Sequence, residues 1–387
     1  MTKKHQKHTA LERPKYGEFH QHEWAILGTP CGQIQKLAAQ LIGALKDEAQ
    51  LAYVDADHAA ADKAKKIPIV GANQVYTDKI NFHRFDFAET QNPFQRRPLF
   101  SQSDGVLVNG NHFKAKRQIV VLDPKKEESL SRKLDRLTDV ALILTMPATE
   151  QPPNLYPFLQ KHLGDQQPKM LSIDDIKGIS DWLREELNTA KPPLYGLVLA
   201  GGKSTRMGED KGLIDYHGQP QREYLSNLLQ QECEQVFYSL HPDQSADDFG
   251  NNAEIIRDSF TGLGPFGAIL SAFRKNPNAA WLVIACDIPL IDQQVIEELV
   301  HARNTSKLAT TFYNPITKWP APLVTIWEPR AYPTLLQFLA QGYSCPRKVL
   351  INSSIEMIDP RRPEVLLNAN SQQERAEILK RIKKPLN

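Results

Sequence analysis

Short apolar runs recur along this chain, most followed by a stretch with apolar residues at helical spacing. Runs at 24–27, 51–54, 105–108, 119–122 and 140–144 form one series; runs at 195–199, 236–240, 281–285, 308–312 and 323–327 form another. Between them, 34–48, 223–232, 291–303 and 332–341 carry the spacing of amphipathic helices. A strand buried on both faces reads as a continuous apolar run, and parallel neighbours need a crossover that is usually a helix. The alternation predicts an α/β fold of two three-layer domains, Rossmann-like or P-loop-like, with mostly parallel sheets. In such sheets ligands bind beyond the carboxyl ends of the strands, so the loops there carry the chemistry.

A chain of 387 residues exceeds what one core usually organises. The two series meet at Asn188-Thr189-Ala190-Lys191-Pro192-Pro193. Before this point Ile176, Ile179, Trp182, Leu183 and Leu187 share a helical face; the paired prolines end that helix, and a new apolar run begins at Leu194. The expected organisation is a disordered basic tail at 1–19, a first domain at 20–190 and a second at 191–387. The tail, rich in Lys and His without an apolar segment, is not a secretory signal. His5, His8, His20 and His22 match no standard metal-site spacing. A net charge of +2 is too small to point to nucleic acid or a membrane surface as the main partner. No apolar run has the length of a bilayer span. Cys31, Cys233, Cys286 and Cys345 form no CxxC pair, which points to a reducing cytoplasm rather than a disulfide framework or zinc site.

The strand expected at 195–199 runs into Ala200-Gly201-Gly202-Lys203-Ser204-Thr205-Arg206-Met207-Gly208-Glu209-Asp210-Lys211. Paired glycines at a strand end let backbone N–H groups approach a phosphate, and Arg206 and Lys211 add two fixed positive charges suited to a triphosphate and a leaving pyrophosphate. The order of residues is neither a Walker A sequence nor a dinucleotide fingerprint. The bland reading is a Gly-rich surface turn with incidental basic residues. At the end of the most apolar run stands Ile284-Ala285-Cys286-Asp287-Ile288-Pro289; Asp287 is placed to ligate Mg²⁺ bridging phosphate oxygens. The bland alternative, a helix N-cap, can be supplied by Asp292 instead. The Gly- and Pro-rich segment 258–268 offers a tight wall for a base or ribose, or simply a long ordered turn.

Together these motifs resemble the molybdenum cofactor guanylyltransferases, the MobA family. The likeness runs in order through 199–202, Arg206-Met207-Gly208, Asp210-Lys211-Gly212, Asp258, Gly264-Pro265 with Gly267, Cys286-Asp287-Ile288-Pro289, Pro322-Leu323 and Asn368-Ala369-Asn370, covering 194–387. It implies transfer of GMP from MgGTP to molybdopterin, giving the guanine dinucleotide cofactor and pyrophosphate. It further implies that Leu199, Ala200, Gly201 and Gly202 line the nucleotide and that Lys211 contacts its phosphates. Asp258 would contact the nucleotide, Asp287 both nucleotide and Mg²⁺, and Asn368 and Asn370 the molybdopterin side. Ser239 stands where many members have Asn, and 207–210 is one residue shorter than in some.

In the first half, 24–27 leads into Gly28-Thr29-Pro30-Cys31-Gly32-Gln33-Ile34, the layout of a P-loop without its Gly-Lys-Ser/Thr. The rest resembles the molybdopterin-guanine dinucleotide adaptor (MobB) family: Tyr53-Val54-Asp55-Ala56-Asp57-His58, Asn109 in place of an acid after Val108, and Lys169-Met170-Leu171-Ser172 before a helix. With lysine and acid both missing, GTP hydrolysis is not expected there. The expected whole is a cytoplasmic fusion of a degenerate adaptor-like domain and a guanylyltransferase, with apo-molybdoenzymes as recipients. Two rivals remain: a cytidylyl or other nucleotidyl transferase of the same superfamily, and a non-catalytic molybdopterin carrier.

Overall fold

The computed structural model describes residues 17–56, 69–147, 155–201, 210–250 and 253–382. The chain divides into two compact units, Met1–Ala190 and Lys191–Asn387. Among the described residues no helix is long and apolar enough to cross a membrane.

The first unit runs β1 (Glu23–Leu27), α1 (Cys31–Leu45), β2 (Leu51–Val54), a hairpin of β3 (Gln74–Asp78) and β4 (His83–Phe87), and the short α2 (Pro93–Arg96). It continues with β5 (Gly105–Asn109), β6 (Arg117–Leu122), α3 (Glu127–Ser131), β7 (Val140–Thr145), α4 (Pro157–Leu163), β8 (Lys169–Ser172) and α5 (Ile176–Thr189). Its sheet has the order β2-β5-β1-β6-β7-β8, and every pairing is parallel. Because successive side chains of a strand point to opposite faces, Trp24 and Ile26 pack with Leu37, Leu41, Ile179 and Leu183 of α1 and α5, whereas Leu27 packs with Leu159 and Leu163 of α4.

The second unit runs β9 (Leu194–Leu199), α6 (Gln221–Leu229), β10 (Gln235–Leu240), β11 (Glu254–Arg257), α7 (Pro265–Lys275), β12 (Ala280–Ala285) and α8 (Gln293–His301). There follow β13 (Ala309–Asn314), β14 (Trp319–Trp327), α9 (Ala331–Ala340), α10 (Pro346–Ile351), β15 (Glu356–Ile358) and α11 (Gln372–Ile382). The sheet order is β11-β10-β9-β12-β14-β13-β15. β9 to β12 are parallel, and β14 runs antiparallel to both neighbours. On one face Leu197, Trp281 and Val283 pack with Phe266, Ile269 and Phe273 of α7; on the other Val198, Leu282 and Ile284 pack with Leu225 of α6 and Ile296 of α8. Both units are thus three-layer α/β structures with mostly parallel sheets.

One detail departs from the sequence reading. The tail expected to end at residue 19 overlaps the packed chain: Phe19 is buried, its ring edge-on to Phe100 and Phe113, while residues 1–16 lie outside the described residues. His22 is held well below the ordinary imidazole range, to about 4, by burial and then by His20. Glu23 anchors the 17–20 segment against β1 and β6. Its buried carboxylate accepts the backbone N–H groups of Glu18, Phe19 and His20, and that of Lys116 beside β6, at 2.8–2.9 Å.

Glu23→Ala strands these four donors, so we expect it to cost about 2–4 kcal/mol. Hydrogen exchange of the β1 and β6 amides in the full chain measures this, and unchanged protection would show that water replaces the carboxylate.

Candidate functional site

β9 lies between β10 and β12 with Leu199 in register with Ser239 on one side and Ala285 on the other. From β9 the chain moves outward to β10 and β11, then returns to pair β12 on the opposite side of β9. A crevice opens where strand order reverses in this way, at the carboxyl ends of the strands. Leu199 and Ala200 are buried there, and Gly201 follows, exposed. A Cβ on Gly201 would lie 2.8 Å from the backbone N of His241, so the loop passes the end of β10 at a distance only glycine allows. Gln244 Nε2 donates to the Ala200 carbonyl at 3.2 Å. Gly202 and Arg206 lie outside the described residues.

The chain returns at Asp210, whose Oδ1 accepts from Gly212 N at 2.9 Å and shapes a single 3₁₀ turn, Lys211–Leu213. That turn presents Lys211. Its Nζ donates to Asn370 Oδ1 at 2.8 Å and stands 3.6 Å from Asp287 Oδ2. Asp287 follows β12, and its backbone carbonyl accepts from Ala369 N at 2.8 Å, which binds the loop before α11 to the end of β12. Lys211, Asp287 and Asn370, far apart in sequence, therefore form one cluster. Asn368 is exposed on the same loop. The helix N-cap after β12 is Asp292, which accepts from Val295 N; Asp287 is left for other work.

Asp287 Oδ1 is buried with no hydrogen-bond partner among the described residues. Burial raises its carboxyl above the ordinary range, and Lys211 opposes the shift. A buried, unpaired carboxylate oxygen is costly, and a cation or a hydrogen-bond donor would remove the cost. Asp258 follows β11 and pairs not with this cluster but with Ser239, whose Oγ donates to Oδ1 at 2.9 Å. Burial raises the Asp258 carboxyl too, opposed by that hydrogen bond. The segment after it ends in Gly264, the N-cap of α7, with Pro265 in the first turn.

Sequence reasoning missed Glu374. Its Oε2 accepts from Asn370 N at 2.8 Å and Ser371 N at 2.9 Å, and Ser371 Oγ accepts from Glu374 N. The Asn370 backbone bond holds the carboxyl below its ordinary range. This capping box fixes the backbone from which Asn370 reaches Lys211, and the signal was legible as Ser371-x-x-Glu374 ahead of a helical stretch.

Residues 196–357 match the MobA-like NTP transferase domain family. A curated molybdenum cofactor biosynthesis bifunctional protein from Synechocystis sp. is 36% identical over 191 residues, 49% of this chain. The match spans 55% of that relative, about half its length. A molybdenum cofactor guanylyltransferase from Pseudomonas putida is 28% identical over 173 residues, 44% of this chain and 88% of that one. The solved structure of a MobB protein homolog from Bacillus stearothermophilus is 14% identical, covers 43% of this chain and 98% of that chain, and has a TM-score of 0.31. The second unit carries a MobA-like nucleotidyltransferase domain.

A carboxyl raised in the folded state binds its proton more tightly there than in the unfolded chain. Its penalty is absent below the ordinary carboxylate range, where both states are protonated, and enters as pH rises through that range. Asp287→Asn should therefore melt higher than the parent at neutral pH, with the gap closing in acid. Thermal melts at the two pH values decide it; a variant that melts lower at neutral pH would mean that pairing with Lys211 outweighs burial.

Proposed function

We propose that the second unit transfers GMP from GTP to molybdopterin, forming molybdopterin guanine dinucleotide and releasing pyrophosphate. The observation that carries this reading is the Lys211–Asp287–Asn370 cluster, in which a buried carboxylate oxygen has no partner among the described residues and an ammonium stands 3.6 Å from its twin. The name of the Pseudomonas putida relative supports guanine as the base. The terminal phosphate of the acceptor is anionic at neutral pH and needs no strong base. What slows attack on the α-phosphorus is repulsion between anions. The Lys211 ammonium and, on the loop before it, the Arg206 guanidinium offset that repulsion, and positioning does the rest. Asn370 directs the Lys211 ammonium, and Asn368 and Asn370 face the acceptor.

The donor set fits Mg²⁺. Magnesium takes hard oxygen ligands, commonly one or two carboxylates completed by substrate phosphates, and Asp287 offers such an oxygen. When bound, the ion supplies neutralisation of phosphate charge. GTP and molybdopterin are then the small-molecule partners, and a reducing cytoplasm suits an enzyme whose four cysteines are free thiols.

Purified protein with Mg²⁺ should bind GTP more tightly than CTP, ATP or UTP; equal or tighter CTP binding would move the assignment to cytidylyl transfer. Asp287→Ala should remove most cofactor formation. Lys211→Ala should lower turnover by about 10²–10³-fold, as for a lost preorganised donor. Near-normal turnover in both would sink the assigned site, and nucleotide binding without turnover in the parent would favour a carrier.

We further propose that the first unit serves delivery, docking molybdopterin or handing finished cofactor to an apo-molybdoenzyme. Every catalytic candidate lies beyond Ala190, so a chain beginning at Lys191 should keep the transfer reaction. Hand-over to an apo-molybdoenzyme should fall when the first unit is removed; equally efficient hand-over would leave that unit a structural remnant.

A further inference from the structure

The carboxyl end of the first unit's sheet holds a polar cluster that guanylyl transfer does not use. Gly28 turns the chain after β1 at φ 91°, where a Cβ would lie 2.3 Å from the Val121 carbonyl oxygen. Pro30 is the N-cap and Cys31 the first residue of α1, a helix of 15 residues. This N-terminus has no side-chain cap and no acidic residue in its first turn, so its partial positive charge falls on first-turn groups, Cys31 among them.

The loop after β5 completes the arrangement. His112 Nε2 stands 3.3 Å from the Cys31 sulfur. Asn111 Nδ2 lies 3.6 Å from the same sulfur while donating to the Thr29 carbonyl at 2.9 Å. Lys133 Nζ donates to Asn111 Oδ1 at 3.2 Å and brings a cation to the cluster. Two carboxylates at this end of the sheet are engaged. Asp123 accepts from Thr29 Oγ1 and Lys125 N, and Asp55 from the Tyr53 hydroxyl and Asn109 Nδ2. Cys31 is partly accessible. A thiol within hydrogen-bond reach of an imidazole, with an amide donor on its sulfur at the start of a helix, has a base at hand for nucleophilic attack.

We propose that Cys31 and His112 form an activated thiol site in the first unit, which takes small disulfides and carries them as a mixed disulfide. His112 Nε2 accepts the thiol proton, and the Cys31 sulfur attacks one sulfur of the incoming disulfide. A new S–S bond forms as the old one breaks. The departing thiolate takes the proton back from the imidazolium and leaves as a thiol, so Cys31 is oxidised and the departing half reduced. The site replaces phosphate chemistry with sulfur chemistry in a loop of P-loop layout.

The chain holds its own reference thiols. Burial pushes the Cys233 thiol up to about 12 and raises that of Cys286 as well, whereas Cys345 is exposed. The test is the rate of alkylation by iodoacetamide at neutral pH in the full-length protein, read at each cysteine by peptide mass spectrometry. Cys31 should react about tenfold faster than Cys345 or more. His112→Ala and the milder His112→Gln should each bring Cys31 down to the Cys345 rate or below, leaving Cys345 unchanged. Hydroxyethyl disulfide should modify Cys31 first, and dithiothreitol should reverse it. Reaction at Cys31 no faster than at Cys345, or a Cys31 rate unmoved in both His112 variants, overturns the proposal.

Discussion

The register of β9 between two parallel neighbours fixes where the central strand ends of the second unit meet. Leu199 faces Ser239 and Ala285 across the sheet, so the residues that follow each strand emerge together. Parallel strands end at the same edge, and their side-chain direction alternates with a period of two. A slip of one residue in β12 would exchange its two packed faces, sending Trp281 and Val283 where Leu282 and Ile284 now pack. Asp287 would leave the cluster with them. The apolar core therefore fixes the position of a carboxylate that contributes nothing to that core.

The cluster is held by its own conflict. Burial works against ionised Asp287, while Lys211 at 3.6 Å favours it. Lys211 in turn is steered by Asn370, and Asn370 by the Glu374 carboxylate on its backbone amide. Glu374 lies at the surface, where an ion pair would be worth little, yet two backbone donors and the start of α11 depend on it. A charge too exposed to add much stability can still set the direction of a side chain in the site.

Apolar pattern made the central strands of both sheets legible, because strands buried on both faces leave continuous runs such as Ala280-Trp281-Leu282-Val283-Ile284-Ala285. Among edge strands, β2 was legible as the run at 51–54, but others were not. β11 is Glu-Ile-Ile-Arg with one buried residue, and β3 and β4 leave Tyr76 and Phe85 exposed, so their pattern does not separate from loop. β14 begins at Trp319, but Pro320 and Pro322 masked its first half. Helix starts were displaced for a related reason: Pro30 sets the start of α1 at Cys31, ahead of the first apolar residue, Ile34. In the site, spacing singled out Lys211 and Asp287 as residue types suited to phosphate and metal. That Asn370 would meet them depended on a tertiary bond, Ala369 N to the Asp287 carbonyl, which no local pattern announces. Pairing of Asp258 with Ser239 was hidden likewise, since it needs the register of β10 against β11.

Both units apply one topological device with different residues. In the first, β1 lies between β5 and β6, and the loops after these strands converge as they do around β9. There the strand ends carry Thr29, Cys31, Asn109, Asn111, His112 and Asp123, with no lysine or arginine in the loop from Gly28 to Ile34. A triphosphate needs fixed positive charge close to the turn, and this loop does not provide it. Fold likeness alone would assign both crevices to nucleotides. The side chains separate them, because one crevice joins a lysine to a buried carboxylate and the other joins a thiol to an imidazole. On the proposed assignments, sheet topology gives each site its place and the few residues at the strand ends its chemistry.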